Sequence, residues 1–220
     1  QTGITTRVSV NSTGNQANGP SQRPTITPDG RNIVFDSLAS DLAPGDANLK
    51  LDVYVHDLQT GVTARASLDS AGVEGNGDSF FGAISDDGRY VAFGSAAINL
   101  VTGDTNGVQD VFVHDRNTGL TVRVSVDSNG LQATGPSADP AISATGRYIA
   151  FFSHATDLVP GDINNASDVF VHDRETGAIS MVSVDSLGIQ GNEHSELPAI
   201  SADGQFVAFN SMASNLFPAD

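Results

Sequence analysis

The chain has 220 residues, of which 39% are hydrophobic, and a formal net charge of −16. This is enough for one domain with a buried core, and the lack of any run of about 18 or more apolar residues argues against a membrane span. The single lysine and nine arginines give no basic face, so a nucleic-acid partner is excluded.

Residue usage narrows the class of protein further. The acidic residues are 22 Asp and four Glu, and Asp is the residue of turns and of oxygen-ligand loops. Cysteine is absent, which excludes disulfides, thiolate metal sites and a cysteine nucleophile. Low lysine, abundant small polar residues and the lack of thiols favour an extracytoplasmic location: secreted, cell-surface or periplasmic.

A period of 58 residues runs along the whole chain. RVSV at Arg7, PDGRNIVF at Pro28 and DVYVHD at Asp52 follow one another, and each segment returns in similar form 58 residues later. We therefore expect a single region, residues 1–220, built of repeats at 1–58, 59–116, 117–174 and 175–220, with the last repeat incomplete.

The third repeat shows the predicted elements of one unit. Residues 140–143, 147–153, 168–172 and 179–184 alternate or are rich in β-branched and aromatic residues, and Gly, Asn and Pro separate them. Four strands without helical periodicity predict a four-stranded antiparallel blade. Stacked blades of this kind form an all-β propeller, and strands that are apolar on both faces fit between neighbouring blades.

The repeat also resembles a known one. AISDDGRYVAFGS followed by DVFVHDRNTG and TVRVSVD is similar to the WD-repeat-like propeller repeat of TolB-type periplasmic propellers and of prolyl oligopeptidase propeller domains. The resemblance covers essentially the whole chain and implies a binding platform, a gate or a spacer. The family repeat is usually nearer to about 40 residues, and the additional residues lie mainly between the second and third strands.

Blade geometry separates the loops onto two faces. The DDGR and DRNTG turns share one face, whereas the long Asp/Asn loops and the Gly-rich crossings between blades share the other, where we expect a protein or glycan ligand. The chain begins with an outermost-strand sequence, GITTRVSV, and stops after two strands of a fourth blade. We therefore expect a partial propeller, or a ring completed by another copy, rather than a closed four-blade ring.

The long loops carry the pattern D-x-N-x-x-x-D three times. Ca²⁺ binds several oxygen atoms, and alternate side chains of a tight loop can turn inward to supply them. The alternative is a Pro-Gly-Asp turn whose last Asp caps the following strand, and the sequence leaves both open. The candidate metal ligands are Asp46, Asn48, Asp52, Asp104, Asn106, Asp110, Asp162, Asn164 and Asp168.

Histidines occur in two settings. His56, His114 and His172 occupy one position of the third strand, and we expect each to form a hydrogen bond that holds its own blade together. In contrast, the crossing GNEHSELP departs from the repeat and groups Glu193, His194 and Glu196. These three are a candidate ligand loop, and the alternative is an ordinary solvated loop.

Three functions are compatible with these features. The first is a non-enzymatic extracytoplasmic binding or structural module with calcium-stabilised loops. The second is the propeller domain of a larger secreted hydrolase that gates its active site, and the third is a structural protein completed by strand exchange between copies. The chain has no G-x-S-x-G motif and no cysteine, so we expect no catalytic activity of its own.

Overall fold

The computed structural model describes residues 3–218. Within this range the chain forms three four-stranded antiparallel sheets and one two-stranded sheet, and no helix could cross a membrane. The strands are β1 (Ser21–Ile26), β2 (Asn32–Ser37), β3 (Asp52–Asp57), β4 (Thr63–Arg65), β5 (Ser79–Ile84), β6 (Tyr90–Ser95), β7 (Asp110–Asp115), β8 (Thr121–Arg123), β9 (Ser137–Ile142), β10 (Tyr148–Ser153), β11 (Asp168–Asp173), β12 (Ile179–Met181), β13 (Ser195–Ile200) and β14 (Val207–Ser211).

Strands pair in the order in which they occur along the chain. In the first sheet β2 pairs with β3 over its full length, from Asn32 opposite Asp57 to Ser37 opposite Asp52. Every residue of these two strands is buried, because the second sheet covers one face of the first sheet and residues such as Val8 and Ala17 pack on the other. The all-β class and the four-stranded antiparallel blades are therefore confirmed.

The core lies between blades. One cluster joins Val34 and Val55 of the first sheet to Phe93 of the second, and another joins Val113 of the second sheet to Phe151 of the third. Each buried side chain of this size contributes about 1.5–3 kcal/mol relative to its exposed state. Packing between blades, rather than within one, therefore holds the array together.

The array is an open arc. None of the three core clusters among the described residues contains side chains from both the first sheet and the β13–β14 pair, which agrees with the predicted partial ring. Residues 3–9 belong to no strand, so the predicted outermost strand there is wrong. A strand needs a hydrogen-bonded partner, and no third strand lies beside this segment in the described part of the chain.

Two predicted strand boundaries differ from the structure by more than one residue. The innermost strand of the third blade starts at Ser137 rather than at residue 140, and the outermost strand ends at Met181 rather than at residue 184. The residues after Met181 still bond to the third strand, since Val182 N–H donates to the Val169 carbonyl at 2.8 Å. The blade therefore continues beyond its last regular strand pair.

The two predicted faces are present. On the turn face, the arginine after the turn between the first and second strands binds the aspartate that ends the third strand, with an N–O distance of 2.7 Å in each blade. The pairs are Arg31–Asp57, Arg89–Asp115 and Arg147–Asp173. On the other face, each long loop forms a hydrogen bond to the crossing that leads to the next blade. The ion pairs hold the pKa of each aspartate well below its usual range, so this stabilisation is present near neutral pH and is lost as acid protonates the carboxylates.

Hydroxyl groups link the strand histidines to the preceding blade. Thr121 donates to the Leu68 carbonyl, and its oxygen lies 2.9 Å from His114 Nδ1. His56 and Thr63 are arranged in the same way, at 2.8 Å, so two of the three predicted histidine bonds are confirmed. The third prediction is wrong, because Ile179 replaces the threonine and His172 Nδ1 has no partner among the described residues.

Replacing Thr121 with valine should lower the free energy of unfolding by about 1–3 kcal/mol. The substitution keeps the shape of the side chain but leaves the buried His114 Nδ1 without a partner and removes the bond to the half-buried Leu68 carbonyl. Urea denaturation followed by circular dichroism would measure the loss. Thr102→Val is the matched control, since Thr102 is exposed, and an equal loss in both variants would contradict the assigned role.

Candidate functional site

The asparagines of the three long loops act as cross-links. Asn48 Nδ2 donates to Asp52 Oδ2 at 3.1 Å and to the Gly75 carbonyl at 2.8 Å, while its Oδ1 accepts from Lys50 N–H at 2.7 Å. Asn106 and Asn164 repeat this geometry. Their amide oxygens therefore bind the backbone of their own loop rather than face the carboxylates, unlike the predicted ligand geometry.

The structure does bring the paired loop aspartates together. In the first loop Asp46 and Asp52 are joined by Glu74 of the crossing, with ligand atoms of all three within 4.8 Å of one another. The Arg65 guanidinium lies 3.9 Å from Asp46 and 3.5 Å from Asp52 and also binds Glu74. Burial raises the pKa of Asp52 to about 6, although Ser67 and Arg65 both favour its ionised form.

The second loop has the same arrangement with fewer acids. Arg123 Nη1 lies 3.4 Å from Asp104 Oδ1 and 3.2 Å from Asp110 Oδ2, and Gln132 occupies the position of Glu74. Burial and the charge of Asp110 raise the pKa of Asp104. In both loops an arginine side chain therefore already supplies the positive charge that a metal ion was predicted to supply.

The third loop differs, because Met181 stands at the arginine position. Gln190 Nε2 donates to Asp162 Oδ1 and to Asp168 Oδ2, each at 2.8 Å. Both aspartates are buried, and Asp162 Oδ2 has no hydrogen-bond partner among the described residues. Burial and the charge of Asp168 raise the pKa of Asp162, although its bond to Gln190 opposes this.

The candidate ligand loop is only partly assembled. His194 Nδ1 accepts from the backbone N–H of Ser167 at 3.0 Å, and the Ser167 hydroxyl donates to Glu196 Oε1 at 2.9 Å. Glu193 points to solvent instead. Ser167 is fully buried, and the carboxylate binds the serine rather than the histidine, which is not the order of a nucleophilic relay.

The innermost strands carry a feature that the sequence analysis did not identify. Each has a bulge in its register after the second residue, and the backbone at the bulge adopts positive φ without glycine. A non-glycine residue with positive φ stores strain of order 1–3 kcal/mol. The four bulge residues are Arg23, Phe81, Asp139 and Leu197, with φ of 50°, 57°, 48° and 54°.

These four residues share an axial cleft of about 410 Å³. The Arg23 guanidinium stacks 4.3 Å from the Phe81 ring centroid and binds Asp36 Oδ2 at 3.0 Å. Asp139 Oδ1 is buried without a hydrogen-bond partner among the described residues. Burial and the charge of Glu196 raise the pKa of Asp139.

The signal that would have found this cleft is variation between repeats. Scaffold positions keep their residue type, whereas the four bulge positions hold a cation, an aromatic, an acid and an aliphatic side chain. The residue that Arg23 binds varies too. Its equivalents are Asp36, Gly94, Phe152 and Asn210.

Comparison with known proteins gives the fold but no family. No protein-family model and no curated protein matches the chain. TolB from Acinetobacter baumannii superposes with a TM-score of 0.56 at 19% identity, over 90% of this chain and 39% of that chain. A prolyl endopeptidase superposes with a TM-score of 0.53 at 14% identity, over 89% of this chain and 26% of that chain.

An enzyme shows the same likeness. Oligogalacturonate lyase from Vibrio parahaemolyticus superposes with a TM-score of 0.51 at 16% identity, over 91% of this chain and 49% of that chain. This chain thus spans less than half of each of the three. At such identities the likeness establishes a TolB-like β-propeller fold and nothing about activity.

Replacing Arg65 with methionine should lower the free energy of unfolding by about 3–5 kcal/mol at pH 7.5, because three carboxylates then lose their shared counter-charge. The loss should be smaller at pH 5. Asp52 already has a folded-state pKa of about 6, above its unfolded value, so its buried charge destabilises the fold as pH rises through 6 and is neutralised below it.

Urea midpoints of wild type and variant at the two pH values would measure this. Arg7→Met is the matched control, since Arg7 occupies the same repeat position but is exposed. An equal loss at both pH values would show that Arg65 acts through packing rather than charge.

Proposed function

We propose that the chain is a non-enzymatic, extracytoplasmic propeller module that binds a basic protein segment at the axial end of the long-loop face. One observation carries the proposal: four equivalent positions keep a strained backbone but hold four different side chains around one cleft. The four positions share a strained backbone conformation but not a side chain. This pattern is expected where the backbone holds different side chains in position to contact a ligand.

The location of the bulges supports the predicted face. Each innermost strand starts at the crossing and runs toward the tight turn, and the bulge follows its second residue. The bulge side chains therefore lie nearer to the long loops than to the turns. A ligand approaching from the long-loop face would meet them first.

Charge favours a basic ligand. Asp36, Asp139 and Glu196 supply three carboxylates near the cleft, whereas Arg23 supplies one cation that is already paired with Asp36. Phe81 adds an aromatic face next to this charge. A lysine or arginine side chain next to an apolar residue complements such a surface, because opposite potentials steer association and the ring contributes buried area.

The composition supports the proposed location and the absence of catalysis. Low lysine and abundant small polar residues, together with the lack of thiols, support an extracytoplasmic location. Ser167, which touches both His194 and Glu196, is buried and bonded to a carboxylate, so this serine is not placed to attack a substrate. Binding therefore explains the geometry with fewer assumptions than catalysis.

Binding to an array of ten-residue peptides and neutral glycans would test the proposal. Each peptide carries an aromatic residue beside either basic or acidic residues. We expect basic peptides to bind, with affinity that falls as salt rises. Asp139→Asn and Glu196→Gln should each weaken binding about tenfold, which corresponds to 1.4 kcal/mol. Glu193→Gln is the control, since Glu193 lies in the same crossing but is exposed.

Either of two results would contradict the proposal. Binding of glycans that is unaffected by Asp139→Asn would place recognition on another chemistry. An equal loss in Glu193→Gln and Glu196→Gln would show that the total charge of the loop, rather than the cleft, attracts the peptide.

A further inference from the structure

One position on the turn face differs between the two interfaces that join complete blades. The first residue of the second strand is Asn32 in the first blade but Tyr90 and Tyr148 in the next two. Each of these side chains packs against the turn glycine of the following blade. A Cβ atom at Gly88 would lie 2.5 Å from Asn32 Nδ2, and one at Gly146 would lie 2.4 Å from Tyr90 Cδ2. An amide therefore stands at the first interface where an aromatic ring stands at the second.

At the second interface the ring is the common partner of two guanidinium groups. Arg89 Cζ lies 4.6 Å from the Tyr90 ring centroid, and Arg174 Cζ, from the neighbouring hairpin, lies 4.3 Å from it. Arg174 Nη1 also donates to the Gly146 carbonyl at 2.6 Å. A guanidinium over an aromatic face at this distance is attracted by the ring. Tyr90 thus offsets the repulsion between two like charges by giving both a stacking partner.

The first interface keeps the two guanidinium groups but lacks the ring. Arg31 is the equivalent of Arg89, and Arg116 is the equivalent of Arg174. Arg116 Nη1 donates to the Gly88 carbonyl, so its guanidinium is held as at the second interface. A cavity of about 390 Å³ lies here, and both arginines line it. The space that a tyrosine fills at one interface is open at the other.

The charges around this cavity leave one cation without a counter-charge. Arg31 binds Asp57 at 2.7 Å, and Asp87 already accepts from the Ser85 hydroxyl at 2.6 Å. Arg116 is half-buried and forms no ion pair with an acidic side chain in the part of the chain that the structure describes. Burial lowers the pKa of the Arg116 guanidinium, Asp57 opposes this, and the charge of Arg31 lowers it further. An anion beside Arg116 would therefore be stabilised.

We propose that the interface between the first two blades binds a small aromatic carboxylate on the turn face, in the cavity beside Arg31 and Arg116. The ring of the ligand takes the place of the missing tyrosine ring and stacks on the guanidinium groups. Its carboxylate supplies the counter-charge that Arg116 lacks. The cavity of about 390 Å³ falls within the range of roughly 300–1,000 Å³ for small-molecule sites. This site lies on the face opposite the long loops and is separate from the axial cleft.

Titration of the isotope-labelled full chain with benzoate, followed by amide NMR, would test the proposal. We expect shifts confined to the turns that carry Arg31 and Arg116. Cyclohexanecarboxylate has the charge without the planar ring, and benzyl alcohol has the ring without the charge, so both should bind more weakly. Asn32→Tyr should fill the cavity, weaken benzoate binding about tenfold and raise the melting temperature, because it recreates the second interface.

Two further variants separate the cavity from general attraction to arginine. Arg116→Gln should also weaken benzoate binding about tenfold. Arg174→Gln is the matched control and should bind benzoate like wild type, since its guanidinium already stacks on Tyr90. Tyr90→Asn is the converse change and should open a second site, with new shifts around Gly146.

Three results would overturn the proposal. These are a wild-type chain without benzoate-dependent shifts, cyclohexanecarboxylate that binds as tightly as benzoate, and an equal loss of binding in Arg116→Gln and Arg174→Gln. If Asn32→Tyr does not fold, the comparison of the two arginine variants decides the question.

Discussion

A fully buried aspartate opens the third strand of every complete blade, and the rest of the blade is arranged around its charge. Asp52, Asp110 and Asp168 are inaccessible to solvent, and each accepts from a serine hydroxyl beyond the outermost strand. Burial of a carboxylate is costly unless hydrogen-bond donors surround it, and in the first two blades an arginine lies beside it as well. The loop asparagine and the residues of the outermost strand and crossing meet this requirement, so their identities depend on one another.

The axial bulges follow the opposite logic. Buried positions repeat because they solve the same packing and charge problem in each blade, whereas the side chains at the bulges have no shared partner to satisfy. The positive φ at Arg23 and its equivalents is compensated by the strand pairs on either side of the bulge. A rigid frame can therefore carry different side chains at equal geometry, which is how a repeated fold acquires a specific surface.

The sequence predicted the fold well, because the second and third strands are apolar on both faces and tight glycine-containing turns precede the second strand and follow the third. The start of the innermost strand was missed, since SADPAI contains a proline and polar residues that mask the alternation. The D-x-N-x-x-x-D pattern located loops whose two aspartates lie close together, but it did not predict the orientation of the asparagine side chains. That orientation depends on Arg65 and Glu74, which come from the next strand and crossing and cannot be placed without the fold.

The replacement of threonine by Ile179 gives the two interfaces between complete blades different outer rims. At the first interface a hydroxyl ties the rim of the second blade to the hairpin before it. At the second interface the Ile179 amide meets only Ser128 Oγ, at 3.4 Å. In a linear array each interface contributes its own share of cooperativity. The outer edge of the third blade can thus open locally, exchanging its amide hydrogens with water, while the apolar packing behind it stays closed.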